Sequence, residues 1–301
     1  MSEMTATATD RLPSLPAASA IGTVHLTVAS LERARAFYEQ VIGLSSAEQP
    51  DGSVLLGGAA RLPALLSLVP DSTASPRNPR ETGLFHFAIL VPTRRDLAVA
   101  LVRLAQGGWR LDGASDHLVS EALYLADPEG NGIEIYHDRD RSTWRRDADG
   151  QLAMATLPLD LDDVLGELEA APIDASADAL MPQATRIGHI HLQVAELEQI
   201  ERFYSRLLGF DVMVRGYPGA LFVAAGGYHH HIGLNTWNSH GGARPAPGSA
   251  GLRAYEIRLG DSAAVEQALA RVLEAGIATE LGPGGGTLVR DPSGNGVLLT
   301  V

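Results

Sequence analysis

Residues 21–44 read IGTVHLTVASLERARAFYEQVIGL and residues 187–210 read IGHIHLQVAELEQIERFYSRLLGF, matching at 11 of 24 positions. A second pair, DPEGNGIEIY from Asp127 and DPSGNGVLLT from Asp291, lies at almost the same offset: 187 − 21 = 166 and 291 − 127 = 164. Blocks that recur with their internal spacing intact mean that a whole half of the molecule is duplicated. What differs between the copies is chemistry. Glu134 of the first GNG strand is answered by Leu298, and His86 in GLFHFAI by Ala254 in GLRAYEI.

Each half divides again, so that one plan is read four times. In the first module Val24, Leu26 and Val28 alternate with Thr23, His25 and Thr27, the period of a half-buried strand. Ser30 is placed to cap a helix whose apolar residues Leu31, Ala34, Phe37, Tyr38 and Val41 recur at helical spacing until Gly43. Short strands near 53–56 and 64–69 follow. The second module repeats the order with a strand over 84–91, a helix over 95–106, and strands near 117–125 and 132–136. The third runs over 187–237, with a loop at 238–249, and the fourth over 252–301. The boundaries that follow are an N-terminal disordered stretch at 1–19, a first domain at 20–137 (modules one and two), a linker at 138–186 and a second domain at 187–301. The linker, rich in Asp and Ala with one helical pattern at 161–170, reads as a long tether, and its length does not force modules to pair in chain order. A β-α-β-β-β order repeated four times gives an α+β protein whose curved sheets leave concave faces.

Composition narrows the chemistry. A chain of 301 residues suits two domains of ordinary size. The formal charge of −13, without a cluster of Lys and Arg, argues against nucleic acid. No cysteine is present, so any metal must rest on His and carboxylate. The sequence has neither a signal-peptide core nor a run of about 18 apolar residues, so no membrane association is expected and the cytoplasm is the expected location. A homo-oligomer is compatible with the sequence but not required by it.

Strand alternation turns His25, His86 and His191 away from the apolar set, into the concave faces. Glu134, flanked by Ile133 and Ile135, points the same way. A carboxylate inside a sheet cavity is costly without a charged partner, and no Arg or Lys stands beside it in sequence, so a metal ion is the simplest neutralising partner. A lone strand histidine is more often a satisfied core residue than a ligand; three of them at corresponding points of repeated modules, joined by a carboxylate, shift that balance. The run Tyr228, His229, His230, His231 adds further donors, of which at least one should enter the cavity. In HLVSEALY, His117 and Tyr124 fall on opposite parities unless a bulge intervenes.

At these residues the chain resembles the vicinal oxygen chelate superfamily and, within it, the type I extradiol dioxygenases of the catechol-2,3-dioxygenase group. ASDHLVSEALYLADPEGNGIEIY at 114–136 and GGYHHHIGLNTW at 226–237 carry the resemblance, and the modules extend it over 21–301. It implies four βαβββ modules forming two open barrels, and Fe(II), or alternatively Mn(II), held by two strand histidines and one glutamate. His86 and Glu134 match two of those ligands. His117 matches a substrate-binding histidine and Tyr124 a hydrogen-bonding tyrosine, while His231 is the expected acid–base group, with His229 and His230 left as alternatives. Because Ala254 and Leu298 disqualify the fourth module, the second and third are expected to pair, giving His86, Glu134 and His191 as the metal triad. Pairing of the first and second, with His25 in place of His191, is the alternative. The implied reaction inserts O2 beside the diol of a small aromatic diol. Rival readings on the same scaffold are a glyoxalase-like lyase or isomerase and a metal-free protein that sequesters small molecules.

Overall fold

A computed structural model describes residues 14–59, 63–148, 150–174 and 178–301. Module one contains β1 (Ala20–Val28), α1 (Leu31–Phe37), β2 (Ser45–Glu48), β3 (Val54–Gly57) and β4 (Leu66–Pro70). Module two contains β5 (Gly83–Leu90), α2 (Arg94–Gln106), β6 (Gly113–Asp116), β7 (Ser120–Ala126) and β8 (Gly132–Asp138). The connection carries β9 (Leu157–Pro158) and α3 (Leu161–Ala170). Module three contains β10 (Arg186–Gln193), α4 (Leu197–Glu201), β11 (Asp211–Val214), β12 (Ala220–Ala224) and β13 (Ile232–Asn235). Module four contains β14 (Gly251–Arg258), α5 (Ser262–Glu274), β15 (Thr279–Leu281), β16 (Thr287–Arg290) and β17 (Gly296–Thr300). Ser30 caps α1 by accepting from the Arg33 N–H, and after one wider turn the helix ends at Gly43, whose φ of 86° is left-handed backbone that glycine adopts without a steric cost.

Two curled mixed sheets result, and each draws on both halves of the sequence. One runs β15-β16-β17-β14-β1-β4-β3-β2, joining modules four and one; the other runs β11-β12-β13-β10-β5-β8-β7-β6-β9, joining modules three and two. The first strands of modules two and three are antiparallel neighbours, with His191 opposite His86 and His189 opposite Ala88. The duplicated halves therefore do not each close a sheet of their own. Their apolar faces instead share one core that includes Val24, Leu26, Phe87, Ile89, Ile190, Leu192, Tyr255 and Ile257, leaving the concave faces free.

The two repeated sequence blocks bind one another. Tyr38, from the first helix, donates to Asp127 of the GNG turn at 2.9 Å, and Tyr204 donates to Asp291 at 3.0 Å. Asn131 and Asn295 each bond the same aspartate through backbone and side chain, so both buried carboxyl groups are satisfied. This explains why the FY of one block and the DPxGNG of the other travel together.

Two sequence expectations need correction. Residues 14–19, read as part of a disordered N-terminus, are folded: Leu15 is buried and its N–H donates to Gly209 O at 3.0 Å. The remaining residues of that stretch, 1–13, lie outside the described residues. The 138–186 connection is no bare tether either. Its β9 extends the second sheet, Arg94 of α2 pairs with Asp163 and Glu167, Arg95 pairs with Asp178, and Met181 is buried. No helix among the described residues is long and apolar enough to cross a membrane.

One glycine is fixed by close approach. A Cβ on Gly188 would lie 1.8 Å from the Tyr136 hydroxyl, which is itself buried and bonded to Tyr228. Gly188→Ala is expected to destabilise the fold by about 1–3 kcal/mol, because the crowded phenol cannot withdraw without losing its partner; urea unfolding measures it, and an unchanged midpoint would contradict this packing.

Candidate metal centre

One row of side chains crosses four strands of the second sheet. Tyr124 on β7 lies opposite Glu134 on β8, Glu134 opposite Ala88 on β5, and Ala88 opposite His189 on β10. Ala88 presents only a methyl group, so the carboxylate and the imidazole meet above it: His189 Nε2 is 3.1 Å from Glu134 Oε2. His86, two residues before Ala88 and therefore on the same face, brings its Nε2 to 3.0 Å from the same oxygen. These three residues form a buried group whose donor atoms all lie within 4.8 Å of one another.

The structure thus separates two expectations about module three. His191 lies opposite His86 with ring centroids 5.0 Å apart, but it is His189 that joins His86 and Glu134. His191, expected as the third ligand, lies outside that group. His191 instead stands in the cavity wall, packed against Phe85, Phe222 and Trp237 at 5.2, 5.7 and 5.4 Å. His25 lies in the other sheet, 3.8 Å from Glu256, and has no part in this cluster. A signal for His189 existed in the sequence: it stands five residues before Val194, as His86 stands five before Val91, whereas His191 stands only three before.

The donors suit a divalent ion. His86 Nε2 has no hydrogen-bond partner of acceptable geometry in spite of its closeness to Glu134, and His189 Nδ1 and His191 Nε2 are also buried without one. Burial lowers His189 to about 4, the pull of Glu134 notwithstanding, and burial likewise holds His191 well below the usual histidine range. Burial alone would raise Glu134, but His189 and His86 outweigh it and keep the carboxyl well below its usual range. A neutral His189 imidazole and an ionised Glu134 carboxylate are the protonation states that a metal requires of those two residues. Two donors each about 2.1 Å from an ion and at right angles to it would be about 3.0 Å apart, close to the spacings found. Two imidazoles and one carboxylate on one side also leave positions open on the other, as oxygen-activating sites need.

Beside the cluster lies a cavity of about 500 Å³ lined by Phe85, His117, Tyr217, Phe222, His230 and Trp237, among others. His117 and Tyr124 both reach it, but not from one strand. His117 falls in the turn between β6 and β7, where Leu118 has a φ of 69°, and the turn swings the ring across to Tyr124. This is the irregularity that strand parity required. His117 Nδ1 is 2.7 Å from Ala155 O, which can only accept, so Nδ1 carries the proton and Nε2 accepts from the Tyr124 hydroxyl at 2.6 Å. Met154, Ala155 and Thr156 of the connection complete this wall. Burial, with Glu134 adding to it, keeps the Tyr124 phenol protonated.

Of the three consecutive histidines it is His230 that lines the cavity, its ring 4.1 Å from that of His189. His231, the expected acid–base residue, points elsewhere: its Nδ1 accepts from the Ala225 N–H at 3.1 Å, and burial lowers it to about 3. The three lie in the turn before β13, where alternation does not apply, which is why counting parity could not choose among them.

Comparisons agree with this architecture. The family model described as Glyoxalase/Bleomycin resistance protein/Dioxygenase superfamily matches residues 20–135 and 186–299. The chain is 43% identical over 263 residues to a Bacillus subtilis (strain 168) protein named catechol-2,3-dioxygenase, covering 86% of this chain and 90% of that one. Among solved structures, a candidate dioxygenase from Bacillus subtilis aligns with a TM-score of 0.66 at 12% identity, covering 96% of this chain and 86% of the other. Glyoxalase I from Zea mays aligns with a TM-score of 0.56 at 16% identity, over 94% and 92%. At these identities the two structures speak for the fold alone.

Proposed function

The chain belongs to the glyoxalase/bleomycin resistance protein/dioxygenase superfamily, and we propose that it is an extradiol dioxygenase that opens a small catechol-type ring beside its diol. What carries this reading is the grouping of His86, Glu134 and His189 beside an aromatic-lined cavity whose wall includes His86 and Glu134, in a chain closely similar to a protein named for that activity. His86, Glu134 and His189 would hold Fe(II), with Mn(II) as the alternative. A bound ion of this kind supplies Lewis acidity that favours the deprotonated diol and a template for diol and O2.

The chain's own residues do the rest. Phe85, Phe222 and Trp237 give a flat ring apolar surfaces to lie against and exclude water around it. Tyr124 and His117 stand where the oxygens of the diol must pass, and their fixed polarity leaves the phenol oxygen able to accept from a substrate hydroxyl. His230, the cavity-lining member of the histidine run, is suited to take a proton from the diol and to return it during ring opening. Tyr124→Phe should lower kcat about tenfold while metal content stays unchanged, the cost of one hydrogen bond accepted from the substrate hydroxyl; steady-state oxygen uptake measures it, and an unaltered kcat would remove Tyr124 from the reaction.

The direct test of the reaction is oxygen uptake by the Fe(II)-loaded protein with catechol and with substituted catechols. Both atoms of one O2 enter one ring, so consumption of O2 and diol in equal amounts with a yellow hydroxymuconic semialdehyde-type product is expected. No uptake with any of these diols would overturn the proposal.

A further inference from the structure

A line of hydrogen bonds runs from the back of the second sheet to His230. Tyr136 and Tyr228 share a bond of 2.7 Å between hydroxyls, Tyr228 donates to Asp138 Oδ2 at 2.8 Å, His229 Nε2 lies 2.9 Å from Asp138 Oδ1, and His229 Nδ1 lies 2.8 Å from His230 Nδ1. The last residue of β8 is thereby tied to the turn before β13, across the seam between modules two and three. His229 is fully buried, and its ring packs between Trp144, Tyr136 and Tyr228 at 5.4, 6.0 and 4.1 Å. His189, His229 and His230 could be read as a second metal cluster. Both nitrogens of His229 are already engaged, however, and that leaves the trio no lone pair from its middle member.

The direction of the chain follows from what each group can do. An ionised Asp138 only accepts, so His229 Nε2 is a donor. In its neutral form, with its one proton on Nε2, His229 offers Nδ1 as an acceptor. His230 Nδ1 must then be the donor, and His230 Nε2 is left bare. No described residue bonds that nitrogen, and His230 lines the cavity.

We infer that Asp138 and His229 are positioning residues that fix the orientation and tautomer of His230, so that its Nε2 faces the cavity as a free base. This rests on the proposed oxygenase reading only for the use made of His230, not for the hydrogen-bond chain itself. A wrong tautomer would present an N–H where a proton has to be received, the kind of fault that cripples a histidine base held by an altered partner.

The test has two arms. In the full-length metal-free protein labelled with ¹⁵N-histidine, with the His230 signals identified from their loss in His230→Gln, the expected state is neutral imidazole with the proton on Nδ1. A His230 bearing its proton on Nε2 would overturn the inference whatever reaction the enzyme performs. In the metal-loaded protein, Asp138→Ala and His229→Phe should each lower kcat about 10- to 100-fold, as loss of an outer partner does, with KM and metal content little changed. The double variant should be no slower than His229→Phe alone, since both act along one path; additive losses would mean that the two residues act separately, and would contradict the chain. If the tautomer is as expected but no diol is consumed by the unaltered protein, the chain stands and the dioxygenase reading falls.

Discussion

His189→Ala is expected to leave the purified protein almost free of metal, while His191→Ala keeps it. His189 contributes one of three buried donors, with Nε2 3.1 Å from Glu134 Oε2 and Glu134 in turn 3.0 Å from His86. Losing it removes a ligand outright, so the loss of affinity should exceed the roughly 10- to 100-fold that removal of an outer partner costs. His191 sits in the aromatic wall instead, and its truncation should raise KM for the diol more than it affects metal. His25→Ala, on the other sheet, should change neither. Metal content by mass spectrometry after gel filtration separates the three variants. Retention of metal by His189→Ala together with loss by His191→Ala would restore the triad of His86, Glu134 and His191 expected from the resemblance.

His230→Ala should lower kcat about 10²- to 10⁴-fold, the range for loss of a positioned acid–base group, with metal content preserved. His231→Ala should cost stability rather than rate. Its Nδ1 accepts from the Ala225 N–H inside the turn, and losing such a bond is worth about 1 kcal/mol. Rates under saturating diol and O2, set beside thermal melting of both variants, distinguish the roles. A slow His231→Ala enzyme with a normal melt would reverse them.

The duplication, the four modules and the concave faces were legible because they depend on repeats and on strand and helix periods, which the sequence carries directly. The union of modules two and three was legible from chemistry: Ala254 and Leu298 take donors away from module four, and the observed β5–β10 pairing puts His86 beside the third module. Alternation does not choose between His189 and His191, since residues two apart on a strand share a face. Module one favours His191, because Thr23 stands where His189 does and only His25 matches a histidine, whereas module two favours His189. His230 and His231 are not told apart by the sequence for a different reason: the three histidines precede β13 in a turn, and nothing in their order records which way the turn faces. The connection at 138–186 looked like a tether because its Asp and Ala content hides partners that lie elsewhere in the chain, the arginines of α2 above all. Ala88 carried no signal by itself, and its smallness has meaning only once Glu134 and His189 are seen to meet over it.

One metal centre is expected, assembled across the β5–β10 seam from His86, Glu134 and His189. Anomalous diffraction at the iron edge from anaerobically loaded crystals tests it most directly. A single peak bonded to His86 Nε2, a Glu134 oxygen and His189 Nε2 is expected; a peak on His191 or His25, or one without Glu134, would rule this centre out.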